Sequence, residues 1–170
     1  MKDENDKNPL YVGISFLAGA IIGVQFWRSL YKDRYDGLRS RYGKLVAFRN
    51  MATKWVALKE VKVSIAATLA NRGIKSVAIY GMQTLGKYLE CELCANNIKT
   101  CYAIDKKADS IYADIDIYKP SDNLPKVDAV IVTAIFAYDE IKSELSKKCD
   151  YEIISLEEVI DETYFHYFAR

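Results

Sequence analysis

Two glycines between an apolar run and a helical stretch have the spacing that best fits a chemical role. Ser76-Val-Ala-Ile-Tyr80 has the composition of a buried parallel strand, and it leads directly into Gly81-Met-Gln-Thr-Leu-Gly86. A glycine turn between a strand and a helix allows close backbone approach, and it aims the helix N-terminal N–H groups at a phosphate. The spacing therefore predicts a phosphate-binding turn.

An acidic residue follows at the distance expected for a nucleotide site. Asp105 lies 24 residues after Gly81, at the end of a second predicted strand, where a carboxylate can accept hydrogen bonds from ribose hydroxyls. Ligands of parallel sheets bind at the carboxyl ends of the strands, where the strand order reverses. This rule selects as candidate ligand-binding residues Tyr80, Gly81, Gln83, Thr84, Gly86, Asp105 and Thr133.

The dinucleotide-binding pattern G-x-G-x-x-G is incomplete in this turn. Its second glycine lets a pyrophosphate approach the backbone, and Gln83 occupies that position. The side chain of Gln83 crowds NAD in its standard binding mode more than a smaller nucleotide or a nucleotide-sugar, although its amide can itself bond a ligand. The alternative is that Gly81 and Gly86 serve only the tight turn and helix packing.

No catalytic constellation and no metal site is predicted. Tyr138 and Lys142 lie four residues apart on a predicted helix, but the other parts of a dehydrogenase pattern are missing. His166 is the one histidine in the sequence, and its aromatic neighbours predict a packing or tail residue. Cys91 and Cys94 have the spacing of a redox pair or of half a zinc site. Because further ligands are missing, we expect both cysteines to pack in a helix as small hydrophobic side chains.

Strands that alternate with helices predict a small Rossmann-like α/β domain at residues 74–162, with a parallel sheet of about five strands. The predicted strands are 76–80, 99–104, 115–118, 128–133 and 152–155, and the predicted helices are 87–96, 138–148 and 156–164. The helix after the third strand is missing, and residues 163–170 are expected to form a C-terminal tail.

Residues 28–73 predict an amphipathic helical connector that ends near Gly73. Apolar residues recur in it every three or four positions, at Leu45, Phe48, Ala52, Trp55, Leu58, Val61, Ile65 and Leu69. We expect this stripe to pack on the α/β domain, and a coiled-coil-like stalk that pairs two chains is the alternative. A break near Val61 to Ser64 would split the region into two helices.

Leu10 to Trp27 carries no charged residue and would span roughly 27 Å as a helix, which predicts a transmembrane segment behind an N-terminal tail at residues 1–9. The positive-inside rule assigns the basic residues that follow to the cytoplasm, so we expect a single-pass membrane protein with a cytoplasmic C-terminal domain. Gly19 and Gly23 form a G-x-x-x-G pattern, which predicts a homodimer contact in the membrane. The alternative is an apolar helix packed on the soluble domain, and a cleaved signal peptide is disfavoured by the position of the basic residues.

The overall charge disfavours nucleic acid as a partner. Lys and Arg total 24 against 23 acidic residues, which gives a formal net charge of +1. Binding to a phosphate backbone needs clustered positive charge in excess.

Four stretches of the chain resemble a group of bacterial Rossmann-like modules that accompany capsular polysaccharide biosynthesis proteins and glycosyltransferases. They are IKSVAIYGMQTLGKYLECEL, CYAIDKK, LPKVDAVIVTAIFAYDEIKSEL and EIISLEEVI. These modules are similar to the nucleotide-sugar-binding N-terminal domains of some sugar acyltransferases. The resemblance covers roughly residues 44–162, and the matching positions are Tyr80, Gly81, Gly86, Asp105, Asp128 and Thr133. It implies a nucleotide or nucleotide-sugar ligand and a polysaccharide biosynthesis enzyme as partner.

The leading hypothesis is a membrane-anchored, cytoplasmic accessory protein of bacterial cell-surface polysaccharide biosynthesis, which binds a nucleotide or nucleotide-sugar without necessarily transforming it. The alternative is a degenerate Rossmann domain that acts as a non-catalytic interaction or scaffold module. A small NAD(P)-dependent oxidoreductase is the weaker third hypothesis.

Overall fold

A computed structural model describes the backbone of residues 9–169, and it describes the side chains of that range except those of residues 9–21 and Asp33. The chain divides into two compact units, with the boundary between Ala47 and Phe48. The first unit is described by helix alone, and the second contains the sheet.

The elements follow the alternating pattern of the sequence. The helices are α1 (Pro9–Glu60), α2 (Ile65–Asn71), α3 (Thr84–Ala95), α4 (Tyr138–Leu145) and α5 (Leu156–Phe168). The strands are β1 (Ser76–Tyr80), β2 (Lys99–Ile104), β3 (Ile117–Tyr118), β4 (Ala129–Val132) and β5 (Glu152–Ser155). Short 3₁₀ turns occur at Ala108–Ser110 and Ile135–Ala137.

The five strands form one parallel sheet in the order β3-β2-β1-β4-β5. This arrangement confirms the predicted Rossmann-like α/β architecture. The chain builds outward from β1 first to one side, through β2 and β3, and then to the other, through β4 and β5. The strand order therefore reverses between β1 and β4, and their carboxyl ends flank the crevice in which such sheets bind ligands.

Alternating side chains of β1 enter two separate cores, one on each face of the sheet. Val77 and Ile79 belong to the core that α1, α2, α3 and α5 cover, whereas Ala78 and Tyr80 belong to the core under α4. Trp55 and other buried residues of α1 belong to the first core. The part of α1 that lies in the second unit is thus one of the helices that cover this face of the sheet.

Several predicted element ends differ from the structure. Residues 61–64 separate α1 from α2, at the break that the sequence allows. The strand predicted at 115–118 is reduced to Ile117–Tyr118, and the helix predicted to reach residue 148 ends at Leu145. The last helix continues to Phe168 instead of ending at residue 164, and in the added turn the ring of Phe168 packs on that of Tyr164, with 4.6 Å between the ring centroids.

The predicted membrane segment lies mostly outside the residues whose side chains are described. Among the residues whose side chains are described, no helix is long and apolar enough to cross a membrane. Gly19 of the predicted dimer contact is likewise outside the described side chains. Gly23 is described, and a Cβ built on it would meet no atom within 4 Å.

Candidate functional site

The turn after β1 requires glycine at both predicted positions. Gly81 has a φ of +94°, and a Cβ on it would lie 2.6 Å from the Oγ1 of Thr133. A Cβ on Gly86 would overlap the carbonyl oxygen of Gly81, so the glycine lets α3 pack directly against the turn. These are the roles that the first and third glycines have in a dinucleotide-binding turn.

Thr133 connects the ends of β1 and β4, on the two sides of the crevice. Its backbone N–H donates to the Tyr80 carbonyl oxygen at 2.9 Å. Its hydroxyl oxygen lies 2.7 Å from the Gly81 carbonyl oxygen and 3.1 Å from that of Tyr80. The buried threonine therefore holds the glycine turn in place.

Asp105 also braces the turn. The buried carboxylate accepts hydrogen bonds from the backbone N–H of Met82 at 3.1 Å and from that of Lys107 at 2.9 Å. Both oxygens are thus engaged with backbone groups, one of them on the turn itself. Ribose hydroxyls would have to share this carboxylate, and the predicted ribose contact stays a prediction.

The N-terminus of α3 has no side-chain cap. Gln83 is the N-cap residue, with φ −83° and ψ −157°, and its exposed side chain makes no capping hydrogen bond. The first N–H groups of a helix have no intrahelical acceptor, and they carry the positive end of the helix dipole. Thr84 begins this helix, so its backbone N–H is one of the groups that an anion could contact.

Six of the seven predicted ligand-binding residues line one cavity of about 1050 Å³. They are Tyr80, Gly81, Gln83, Thr84, Asp105 and Thr133. Gly86 is not a lining residue, since it lies under the turn and acts through packing. The cavity also extends between α1 and α3, where its lining is mainly apolar.

Among the described residues, Tyr80 contributes the one buried side-chain polar group of the cavity lining that has no hydrogen-bond partner. Its side chain is buried, and its hydroxyl has no hydrogen-bond partner. Burial, together with the carboxylates of Glu144, Asp105 and Glu140, raises the pKa of this hydroxyl above its ordinary value. The group consequently stays protonated at neutral pH and can act as a hydrogen-bond donor.

Glu92 is a buried carboxylate in the wall of the cavity that the sequence did not reveal. One of its oxygens accepts hydrogen bonds from Trp55 Nε1 at 2.7 Å and lies 2.5 Å from Lys59 Nζ. The other accepts from the Ser64 hydroxyl at 2.8 Å and from the Ile65 N–H at 3.0 Å. This network joins α3 to the end of α1 and to the start of α2.

Residues outside the cavity explain several other sequence features. The Tyr138 hydroxyl donates to the Ile153 carbonyl oxygen at 2.8 Å, so it serves the β5 region and is not a proton donor in the cavity. Asp128 accepts from the N–H groups of Lys75 and Ser76 and from the Ser76 hydroxyl, which is a capping role.

The cysteines correct one prediction. Cys91 and Cys94 are both exposed, so they are not packed as small hydrophobic side chains. Both lie on the solvent-exposed side of α3, where Cys91 also lines the cavity, whereas Leu89 and Leu93 supply the buried face of that helix. Among the residues that the structure describes, no group of three or more His, Cys, Asp and Glu side chains is placed to hold a metal ion.

Comparisons of the chain with protein-family profiles, with curated proteins and with solved structures give no match.

Proposed function

We propose that the protein is a membrane-anchored accessory protein of bacterial cell-surface polysaccharide biosynthesis that binds a nucleotide or nucleotide-sugar. The observation that carries the binding proposal is the gathering of six candidate residues around one cavity at the point where the strand order reverses. The assignment to polysaccharide biosynthesis, and an enzyme of that pathway as partner, is supported by the sequence resemblance alone.

In this proposal the phosphate binds at the start of α3. The backbone N–H groups of Thr84 and Leu85, with the helix dipole behind them, would contact its oxygens. Lys106 and Lys107, exposed at the end of β2, also line the cavity and add positive charge. Asp105 and Thr133 act indirectly, because they hold the turn in the shape that presents these groups.

The side chain of Gln83 selects against a dinucleotide in the standard mode. Its extended backbone conformation does not need glycine, but the residue stands where the dinucleotide-binding pattern requires glycine for a pyrophosphate to approach the backbone. A ligand that places a single phosphate at the helix end, or a nucleotide-sugar that bends away from the turn, avoids this side chain. The proposal therefore favours these ligands over NAD.

The anchor in the proposal rests on the uncharged run from Leu10 to Trp27 and on the basic residues that follow it. The test is extraction of membranes with alkaline carbonate. A spanning helix stays in the pellet, and recovery of the full-length chain in the supernatant would contradict the anchor.

Binding is tested by isothermal titration calorimetry of the full-length chain with uridine diphosphate, a uridine-diphosphate sugar and NAD. The diagnostic variant is Thr84→Pro, since proline at the first position of a helix keeps the helix but removes one N–H group. Thr84→Ala keeps that N–H and is the matched control. We expect Thr84→Pro to weaken binding of the nucleotide-sugar about tenfold, from the loss of one hydrogen bond to a charged group, and Thr84→Ala to leave it nearly unchanged.

A scaffold module is the second candidate function, and exposed apolar residues along the cavity favour it. Phe48, Val56 and Tyr88 all line the cavity and all remain exposed. Exposed apolar patches of this kind are common at protein interfaces. If no nucleotide of the panel binds in calorimetry, and if the protein self-associates in a way that Tyr88→Asp abolishes, this function is favoured over ligand binding.

A further inference from the structure

The cavity at the turn continues as a trough between α1 and α3. On one side α1 contributes Phe48, Ala52 and Val56, and on the other α3 contributes Tyr88 and Ala95. These side chains present hydrocarbon and aromatic surface, and Val56 and Tyr88 are 58% and 63% exposed. A nucleotide bound at the turn would not need such a wall.

Charge is concentrated at the turn. Lys106 and Lys107 lie there with the N-terminus of α3, and two acids, Asp105 and Glu140, line the same part of the cavity. Both oxygens of Asp105 already accept hydrogen bonds from backbone N–H groups. The other lining cation, Lys59, forms an ion pair with Glu92. The positive charge available to a ligand therefore lies at the turn, and the apolar walls belong to the two helices.

Tyr80 gives a second, independent indication of a ligand. It lines the cavity and is only 5% exposed, and its hydroxyl has no hydrogen-bond partner among the described residues. Buried hydroxyls are normally satisfied, so the unpaired donor of this lining residue, whose side chain belongs to the core under α4, fits a ligand acceptor on the α4 side of the cavity.

We infer that this site accepts a phosphate that carries a single alkyl or isoprenoid chain, with the phosphate at the start of α3 and the chain between α1 and α3. The inference rests on the proposed function for the position of the phosphate, and it adds the chemical class of the remainder of the ligand. Gln83 supports it, because a monophosphate does not have to cross the turn. The ligand is thus amphiphilic, as the division of the cavity into a charged turn and apolar walls requires.

The length of the ligand's alkyl chain provides the test. Butyl, hexyl and octyl phosphate share one head group and differ only in methylene groups. Each methylene that is fully removed from water tightens binding about fourfold. We expect octyl phosphate to bind the full-length chain more than roughly tenfold tighter than butyl phosphate, in calorimetry below the micelle concentration, and to compete with uridine diphosphate.

Two aspartate substitutions separate the trough from the rest of the surface. Tyr88→Asp places a charge in the wall, and we expect it to reduce the preference for octyl over butyl phosphate to less than about threefold. Tyr112→Asp is the matched control, since Tyr112 is 96% exposed and does not line the cavity, and it should keep the full preference. Val56→Asp tests the opposite wall, should Tyr88→Asp not fold.

The outcomes distinguish the two proposals. Binding of uridine diphosphate together with equal affinities for all three alkyl phosphates would overturn the inference and leave the proposed function standing. Preference for octyl phosphate without any binding of nucleotides would support the inference and contradict the nucleotide ligand. A dimer that Tyr88→Asp dissociates, with no dependence on chain length, would mean that a second copy of the chain occupies the trough, and this result would also overturn the inference.

Discussion

Replacement of Glu92 by glutamine should destabilise the fold strongly, although the two side chains have almost the same shape. The carboxylate is 2% exposed and accepts from Trp55, Ser64 and the backbone of Ile65, with Lys59 as its ion-pair partner. An amide has one acceptor oxygen, so its NH₂ group must face two of these donors. Helix propensities of glutamate and glutamine are nearly equal, and the change therefore reports on the network alone.

The magnitude follows from the burial and from the number of contacts. Breaking a buried ion pair costs about 3–5 kcal/mol, and a hydrogen bond to a charged group contributes about 1.5–3 kcal/mol. Lys59 is 47% exposed and can regain water, which places the expected loss near the lower end. We expect Glu92→Gln to reduce the free energy of unfolding by about 3 kcal/mol, which corresponds to a fall in Tm of about 9 °C for a chain of this size.

The measurement is urea and thermal unfolding followed by circular dichroism. Glu90→Gln is the matched control on the same helix, and since burial raises the pKa of the Glu90 carboxyl, its charge is not favoured by its surroundings. We expect less than about 0.5 kcal/mol for this control. In a Trp55→Phe background the loss from Glu92→Gln should shrink by about 1 kcal/mol, because the two residues share a hydrogen bond. A Glu92→Gln protein as stable as the wild type would refute the role of the network.

Three further predictions concern the turn, acid stability and the cysteines. Gly86→Ala should abolish ligand binding and lower stability, because its Cβ would overlap the carbonyl oxygen of the turn. Gly37→Ala lies in open space on α1 and should stabilise its helix by roughly 0.5–1 kcal/mol. Unfolding curves of both variants check the two changes in stability. Hydrogen bonds from two backbone N–H groups and a hydroxyl lower the pKa of the Asp128 carboxyl. The stabilisation of the fold by this carboxylate is therefore complete above the ordinary carboxyl range and is lost as the pH falls below about 4. Asp128→Asn should make the urea midpoint less sensitive to pH between 6 and 3, and a pH profile identical to that of the wild type would contradict this prediction. Cys91 and Cys94 should both react with a maleimide in the native protein, and a ligand in the cavity should protect Cys91, which lines it, more than Cys94; equal protection in peptide mass spectra would count against the location of the ligand.

Local patterns of the sequence were sufficient for the sheet and for the turn. β1, β2 and β5 begin and end at the predicted residues, because each is a short stretch with apolar residues that ends at a turn or at a helix. Gly81 and Gly86 could be assigned because the turn leaves no alternative to glycine there. The site residues on three different strands could be grouped because parallel strands end at one edge of the sheet.

Long-range hydrogen bonds account for what the sequence did not reveal. A glutamate inside a helix normally faces solvent, so Glu92 gave no signal beyond its position on the apolar face that Leu89 and Leu93 define. Its partner Trp55 lies 37 residues away in the chain. Asp105 was correctly placed at the end of β2, but its bond to the Met82 N–H depends on the turn conformation and not on the spacing.

The central claim is that a phosphate binds at the start of α3, and hydrogen–deuterium exchange tests it most directly. Exchange of the full-length chain would be measured once with a saturating uridine-diphosphate sugar and once with the same sugar lacking phosphate. The account predicts slower exchange in residues 81–88 with the phosphorylated ligand only, and unchanged exchange at the start of α5, where Ser155 already caps the helix. Equal exchange of residues 81–88 under both conditions, at ligand concentrations where binding is otherwise detected, would contradict the account.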